Sequence, residues 1–117
     1  MFDFQKLEVY KKAKSYNNEI TKIIRKNKFD RITNDQLRRA SFSIMLNIAE
    51  GSSRFSNRDR KNFLVIARGR AFECVAILEY LLDTSEIAQE EFSLFYSKLE
   101  ELSKMLFALI RKLGNDK

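Results

Sequence analysis

The amino-acid sequence predicts an all-α fold, an antiparallel up-down-up-down four-helix bundle in a single domain of 117 residues. Proline is absent and only three glycines occur, so almost no position forbids a helix. Four amphipathic segments follow one another with short connections, and each carries apolar residues at helical spacing. Short connections favour antiparallel neighbours. The predicted helices span about residues 5–27, 34–51, 57–83 and 88–113.

The first two helices are predicted from periodicity and from a start signal. In the first, the apolar positions at helical spacing are Tyr10, Ala13, Tyr16, Ile20, Ile23 and Ile24. The second should begin with Thr33 as N-cap and Gln36 three residues later, which together form a capping box. Ile32 and Leu37 lie where a hydrophobic staple would. This helix should end at Gly51, because glycine tolerates the left-handed conformation beyond a helix end.

The last two helices have clear boundaries. Ser56 and Asp59 can cap the third helix, whose apolar positions are Phe63, Ala67, Ala71, Cys74, Leu78 and Leu81. The segment DTSE should end it. The fourth helix has alternating three- and four-residue spacing at Phe92, Phe95, Leu99, Leu102, Leu106, Leu109 and Leu113, the seam of a coiled-coil-like helix. Gly114 should stop it.

The second helix carries more apolar surface than one bundle core needs. Leu37, Ala40, Ile44 and Ile48 share one side, whereas Phe42, Met45, Leu46 and Ala49 point away from them. We expect another copy of the chain to cover part of this surface, and therefore predict a homo-oligomer. The alternative is that this helix lies at the centre of its own bundle.

A narrow polar strip interrupts the second and third helices. It consists of Arg39, Ser43, Asn47 and Glu50 on the second helix, and of Arg70 and Glu73 between two isoleucines on the third. One interpretation is a solvated face. The other is that Glu50 and Glu73 pair with Arg39 and Arg70 across the helix interface and fix its register. The residues alone favour neither.

Several classes of function lose support from residues that the chain lacks. There is no histidine, which excludes imidazole-based acid–base catalysis and the Glu-x-x-His ligands of di-iron bundles. The single cysteine, Cys74, cannot form an internal disulfide and falls among apolar helical positions, so we expect it to pack in the core. We predict no catalytic residue, no metal and no cofactor.

Nothing in the chain predicts a membrane protein. No apolar run approaches the roughly 20 residues that a membrane span needs. The first ten residues also lack the cationic start and apolar middle of a secretory signal. We therefore expect a cytoplasmic protein that has no membrane partner.

Positive charge is concentrated in the first third of the chain. The formal net charge is +6, and residues 1 to 32 hold nine basic and four acidic side chains. Basic side chains can neutralise phosphates, and an aromatic among them, such as Phe55, can stack on a base. The candidate nucleic-acid-binding residues are Lys11, Lys12, Lys14, Lys22 and Arg25 of the first helix, and Arg54, Arg58, Arg60 and Lys61 after Gly51. The alternative is that these charges only aid solubility.

Four motifs give the chain a resemblance to a known family. They are F-x-x-L-x-V-Y-x-x-A at Phe4 to Ala13, QLRRASFSI at Gln36 to Ile44, NIAEGSSR at Asn47 to Arg54, and FLVIARG at Phe63 to Gly69 with Glu73 following. In this order they resemble the bacterial four-helix-bundle family that is encoded in intervening sequences of large-subunit ribosomal RNA genes and is called ribosomal-protein-like. The resemblance covers nearly the whole chain. The accessory variability determinant of diversity-generating retroelements, a basic homopentamer, is similar to this family.

The resemblance implies a homopentamer that associates with RNA or with a nucleoprotein, and it brings no catalytic residues. Our leading hypothesis is a non-enzymatic homo-oligomeric bundle that binds RNA through the first helix and the loop after Gly51. A purely structural assembly or scaffold protein is the alternative. A third hypothesis is an enzyme similar to the all-helical nucleases of toxin systems, but that class depends on an Arg–His pair and histidine is absent.

Overall fold

Four α-helices form a bundle in the computed structural model, which describes residues 1–114. They are α1 (Glu8–Asn27), α2 (Arg31–Ser52), α3 (Asn57–Asp83) and α4 (Gln89–Leu113), and a 3₁₀-helix at Asp3–Lys6 precedes them. No β-strand occurs in this part of the chain. The all-α prediction is confirmed. The first predicted helix is interrupted, because Leu7 has an extended backbone between the 3₁₀-helix and α1.

Consecutive helices run in opposite directions along the bundle. Pairs of contacts show this, because residue numbers that rise along one helix fall along its neighbour. Between α1 and α2, Tyr16 contacts Ser41, and the later Arg25 shares a cleft with the earlier Arg38. Between α2 and α3, Ser41 contacts Cys74 and Gly51 lies against Phe63. Between α3 and α4, Lys61 contacts Gly114 and Arg68 contacts Phe107. Contacts between α1 and α4 close the bundle, as in the pair Lys12–Glu101. This order is up-down-up-down.

The core is built mostly from the apolar stripes that the sequence predicts, but Phe63 of the predicted α3 stripe is only partly buried and Leu64 is buried next to it. Its buried members include Ala13, Tyr16 and Ile20 of α1, Leu37, Ala40, Ile44 and Ile48 of α2, Ala67, Ala71, Cys74, Leu78 and Leu81 of α3, and Phe95, Leu99, Leu102 and Leu106 of α4. Leu109 and Leu113 of the predicted α4 seam are only partly buried. At its end, the backbone of Gly114 has a φ of 64°, so glycine stops α4 as predicted.

The predicted start of α2 is wrong by three residues. Asp30 is the N-cap, and its carboxylate accepts hydrogen bonds from the backbone N–H and the hydroxyl of Thr33 at 3.0 and 2.7 Å. Aspartate and threonine both cap helices well, but the aspartate carboxylate also interacts favourably with the positive end of the helix dipole. Ile32 lies inside the helix with 72% of its surface exposed, so it does not form the predicted staple.

The predicted role of Gly51 is also wrong. Gly51 lies within α2, which continues through Ser52, and its φ is not positive. The residue is buried where α2 approaches α3, and a Cβ added to it would stand 3.1 Å from the Phe63 Cβ and 3.4 Å from the Arg60 carbonyl oxygen. Glycine is therefore required here by close helix packing rather than by a turn.

The apolar surface of α2 does extend beyond the core. Phe42 and Leu46 remain 47% and 46% exposed, whereas Met45 and Ala49 are half-buried. This confirms the exposed surface that the sequence predicts, but it does not test which partner covers it. Within residues 1–114, no helix has the length and apolar character needed to cross a membrane.

Candidate nucleic-acid interface

The predicted basic residues lie in two groups at opposite ends of α1. Because α1 and α2 are antiparallel, the loop after α2 lies near the start of α1, and Ser52 and Ser53 share a cleft there with Phe4. Lys22 and Arg25 lie in the last two turns of α1, beside the first half of α2. The nine predicted residues therefore do not form one compact site.

Three of the four cations after Gly51 make intramolecular contacts, Arg54 and Arg60 at the α2–α3 junction and Lys61 at the end of α4. Arg54 pairs with Glu50 at 2.9 Å, and its guanidinium lies 4.5 Å from the centre of the Phe63 ring. Arg60 Nε donates to the Arg54 carbonyl oxygen at 2.8 Å, and Lys61 Nζ donates to the Gly114 carbonyl oxygen at the same distance. Arg58 is exposed, and no ion pair engages it in residues 1–114. This group therefore has a structural role that the sequence did not indicate.

The edge between α1 and α4 has opposite charges close together. Lys12 lies 3.3 Å from Glu101, and Glu19 pairs with Lys98 at 3.0 Å. Such half-exposed pairs contribute little stability, but each one neutralises a charge. Lys11 and Lys14 are exposed on the same helix.

The second group of cations lines a cleft between α1 and α2, which we call the basic cleft. Its lining consists of Asn17, Asn18, Thr21, Lys22 and Arg25 of α1, and of Arg38 and Phe42 of α2. Residues 18, 22 and 25 share one edge of α1, and residues 38 and 42 share one edge of α2, because helical neighbours are three or four positions apart. The cleft has a volume of about 390 Å³. It is a pocket formed by two rigid helices.

The basic cleft differs from the neighbouring clefts in charge. Four other surface clefts of residues 1–114 contain at least one carboxylate each, for instance Glu79 and Glu100 between α3 and α4, or Asp3 and Glu50 beside the 3₁₀-helix. The basic cleft contains three cations and no carboxylate. Uncompensated positive charge in a concave site attracts anions.

Sequence reasoning missed two residues of this cleft, Arg38 and Phe42. The sequence predicts no role for Arg38, and it places Phe42 on the apolar surface of α2 that points away from the core. Both lie beside Lys22 and Arg25 only because α1 and α2 pack in this register. Their i, i+4 spacing places both residues on one edge of α2. Which helix packs beside that edge is decided by the tertiary structure.

The hypothesis that Glu50 and Glu73 pair across the helix interface is wrong. Glu50 pairs with Arg54 four residues later, and Glu73 pairs with Arg70 three residues earlier at 3.0 Å. Asn47 donates to the Ser43 carbonyl and hydroxyl oxygens at 2.8 Å, and Arg39 is exposed. Neighbours at i, i+3 and i, i+4 are closer than residues on another helix, so the local pairs form. The strip is a half-exposed polar face.

One buried polar cluster lies in the core, away from the clefts. The Tyr16 hydroxyl lies 3.0 Å from Ser41 Oγ, and Ser41 Oγ lies 3.4 Å from Cys74 Sγ. Burial raises the pKa of the Cys74 thiol and raises the pKa of Tyr16 well above its ordinary value. Both groups are fully buried and stay protonated at neutral pH, so neither suits nucleophilic chemistry. No group of three potential metal ligands lies together within residues 1–114.

This cluster predicts loss of stability in alkali. The folded-state pKa values of Cys74 and Tyr16 exceed their ordinary values of 9.0 and 10.0, so the unfolded chain releases these protons first. The contribution of these two groups to the free energy of unfolding is complete below about pH 9. It is lost as pH rises, by at most about 1.4 kcal/mol per pH unit for each group. Urea unfolding between pH 8 and 10.5 should show a shallower decline for Tyr16→Phe than for the unmodified protein. If the free energy of unfolding fell equally steeply with pH in both proteins, this prediction would be contradicted.

Comparisons with known proteins cover nearly the whole bundle. The family model described as "23S rRNA-intervening sequence protein" matches residues 5–108. The chain is also similar to the crystal structure of a protein with unknown function from the S23 ribosomal protein family of Bacteroides thetaiotaomicron VPI-5482. The TM-score is 0.82 at 27% sequence identity, over 87% of this chain and 97% of that chain. None of the curated proteins matches significantly.

Proposed function

This chain belongs to the 23S rRNA-intervening sequence protein family, and on that premise we propose that it is a non-enzymatic cytoplasmic protein that binds RNA through the basic cleft. The observation that carries the proposal is the cleft itself, in which Lys22, Arg25 and Arg38 meet without a carboxylate. Phosphate contacts of this kind supply most of the affinity of a protein for nucleic acid. The exposed cations Lys11, Lys14 and Arg58 add a wider positive field.

The experiment that tests this proposal is a salt titration of RNA binding. Fluorescence anisotropy with labelled single-stranded and hairpin RNA should show binding at 50 mM salt that weakens steeply by 200 mM, because each neutralised phosphate releases counterions. Affinity that does not change with salt would contradict the electrostatic mechanism. Failure to bind any of these RNAs at low salt would favour the alternative, a scaffold protein.

We also propose that the chain self-associates, and that the contact lies on the aromatic face of α3 and α4. This face consists of Phe72, Tyr96 and Phe107, which are 55%, 41% and 48% exposed, with Arg68 between the two phenylalanine rings at 4.7 and 5.3 Å. Exposed aromatic side chains that lie together on one face favour a protein partner.

Two features of the aromatic face suit a second copy of this chain. The cleft on the face contains Arg68 and Lys104 together with Glu79 and Glu100. In a ring of five copies each contact joins two different surfaces, so this cleft can pair with charges of either sign on the surface that the neighbouring copy presents. The Arg68 guanidinium packs against both Phe72 and Phe107, which places two exposed rings side by side where a neighbouring copy can cover both. The aromatic face lies on α3 and α4 and shares no residue with the basic cleft between α1 and α2.

Light scattering tests the assembly. We expect the mass of five copies of the 13.8-kDa chain, because the resemblance to pentameric proteins implies this number. Phe72→Glu with Phe107→Glu should shift the mass to that of one chain, since buried unpaired carboxylates oppose the contact. Leu46→Glu is the matched control, because it alters the α2 surface that the sequence predicts as the contact. An unchanged mass of this variant is expected if the contact lies on α3 and α4 instead. A monomeric unmodified protein, or dissociation by the control alone, would contradict the proposed contact.

A further inference from the structure

Phe42 is an exposed aromatic ring whose face is not covered by another ring or by a guanidinium of residues 1–114. Its side chain is 47% exposed. Phe72 and Phe107, which are similarly exposed, both carry the Arg68 guanidinium. A free ring face between two helices costs hydrophobic free energy that a planar ligand would recover.

The surroundings of Phe42 identify the ligand by its chemistry. Lys22, Arg25 and Arg38 line the same cleft, and the amides of Asn17 and Asn18 stand beside them. Cations bind phosphate, an aromatic ring stacks on a nucleobase, and an amide can both donate to and accept from a base edge. The volume of about 390 Å³ lies within the range of roughly 300–1,000 Å³ for small-ligand pockets.

From this combination we propose that the basic cleft holds one unpaired nucleotide of a single strand, with its base stacked on Phe42 and its flanking phosphates on Lys22, Arg25 and Arg38. This inference rests on the proposed RNA-binding function and adds the form of nucleic acid that is recognised. A duplex has its bases stacked on one another, so only an unpaired base can present a face to the ring.

The local charges argue against a second copy of the chain as the occupant of this cleft. Three cations line the cleft, and every copy of the chain carries a formal net charge of +6, so a negatively charged occupant is favoured over another copy. The nearest carboxylate in the sequence, Glu19, pairs with Lys98 of α4. A polyanion neutralises this charge, and a second basic cleft does not.

The test compares Phe42→Ala and Phe42→Trp with the matched control Phe55→Ala. Phe55 is 99% exposed on the loop between α2 and α3, so the control removes the same ring from the other basic region. We expect Phe42→Ala to lower affinity for oligouridylate roughly tenfold, because one base–aromatic stack is lost. Phe42→Trp should retain affinity, and Phe55→Ala, which removes the ring that the sequence predicts as a stacking candidate, should lose much less affinity than Phe42→Ala. Duplex RNA should bind the unmodified protein and Phe42→Ala equally.

The results of these binding experiments and of light scattering distinguish a failure of base stacking on Phe42 from a failure of RNA binding as a whole. Equal affinities of Phe42→Ala and the unmodified protein for oligouridylate, with salt dependence intact, would overturn base stacking and leave the RNA-binding proposal standing. No binding by the unmodified protein would overturn both. A changed mass of Phe42→Ala in light scattering would assign Phe42 to a subunit contact and overturn the inference. Oligothymidylate in parallel shows whether the unpaired nucleotide is ribo or deoxyribo.

Discussion

Reversing the three charges of the basic cleft is expected to lower the affinity for single-stranded RNA roughly 100-fold at 50 mM salt. The variant is Lys22→Glu, Arg25→Glu and Arg38→Glu. All three side chains are exposed, so the bundle should keep its fold and melting temperature. The slope of log affinity against log salt should also fall by about 2, because each phosphate contact to a single strand contributes roughly 0.7.

The matched control reverses three exposed cations outside the cleft, Lys11, Lys14 and Arg58. Both triple variants change the formal net charge from +6 to zero, so they alter the overall field of the protein equally. We expect the control to lose less than fivefold in affinity. Equal losses for the two variants would show that binding is diffuse, and a larger loss for the control would place the RNA at the other end of α1.

Replacing Gly51 by valine is expected to destabilise the bundle by roughly 2 kcal/mol. The Cβ would stand 3.1 Å from the Phe63 Cβ and 3.4 Å from the Arg60 carbonyl oxygen. Neither atom can rotate away, since one is backbone and the other is the first side-chain carbon. The helices α2 and α3 would have to separate, and the packing between them would loosen.

Gly69 provides the control for this substitution. It lies in the middle of α3, is exposed, and has no atom within 4 Å of an added Cβ. Gly69→Ala should stabilise the bundle by about 0.5–1 kcal/mol, because alanine favours the helix and restricts the unfolded chain. Urea unfolding measures both changes. A stable Gly51→Val variant would show that α2 and α3 do not pack as closely as described.

The helices were predictable where one local signal acts alone. Ser56 accepts a hydrogen bond from the Asp59 N–H at 3.1 Å, and α3 begins and ends where the sequence predicts. The start of α2 was not predictable, because Asp30 and Thr33 are both good caps and lie three residues apart. Gly51 was misassigned since a glycine required by a neighbouring helix and a glycine that ends a helix look the same in sequence.

The candidate site was predictable only in part. Lys22 and Arg25 were identified from the charge of α1, but nothing in the sequence separates them from Lys11 and Lys14. Arg38 and Phe42 join them because the buried faces of α1 and α2 pack with Tyr16 beside Ser41, and this packing is a tertiary property. Arg54 and Arg60 were assigned to binding, and their contacts with Glu50 and with the loop backbone depend on how the loop folds.

The most direct test of RNA binding in the basic cleft is ultraviolet cross-linking of bound oligouridylate, followed by mapping of the modified peptides. We expect the cross-linked residues to lie between Asn17 and Phe42, with Phe42 or a residue next to it as the main site. Excess unlabelled RNA and 500 mM salt should both abolish the cross-links. Cross-links confined to the loop around Phe55 and Arg58 would contradict RNA binding in the basic cleft. Cross-links that persist unchanged in the triple variant Lys22→Glu, Arg25→Glu and Arg38→Glu would contradict it as well.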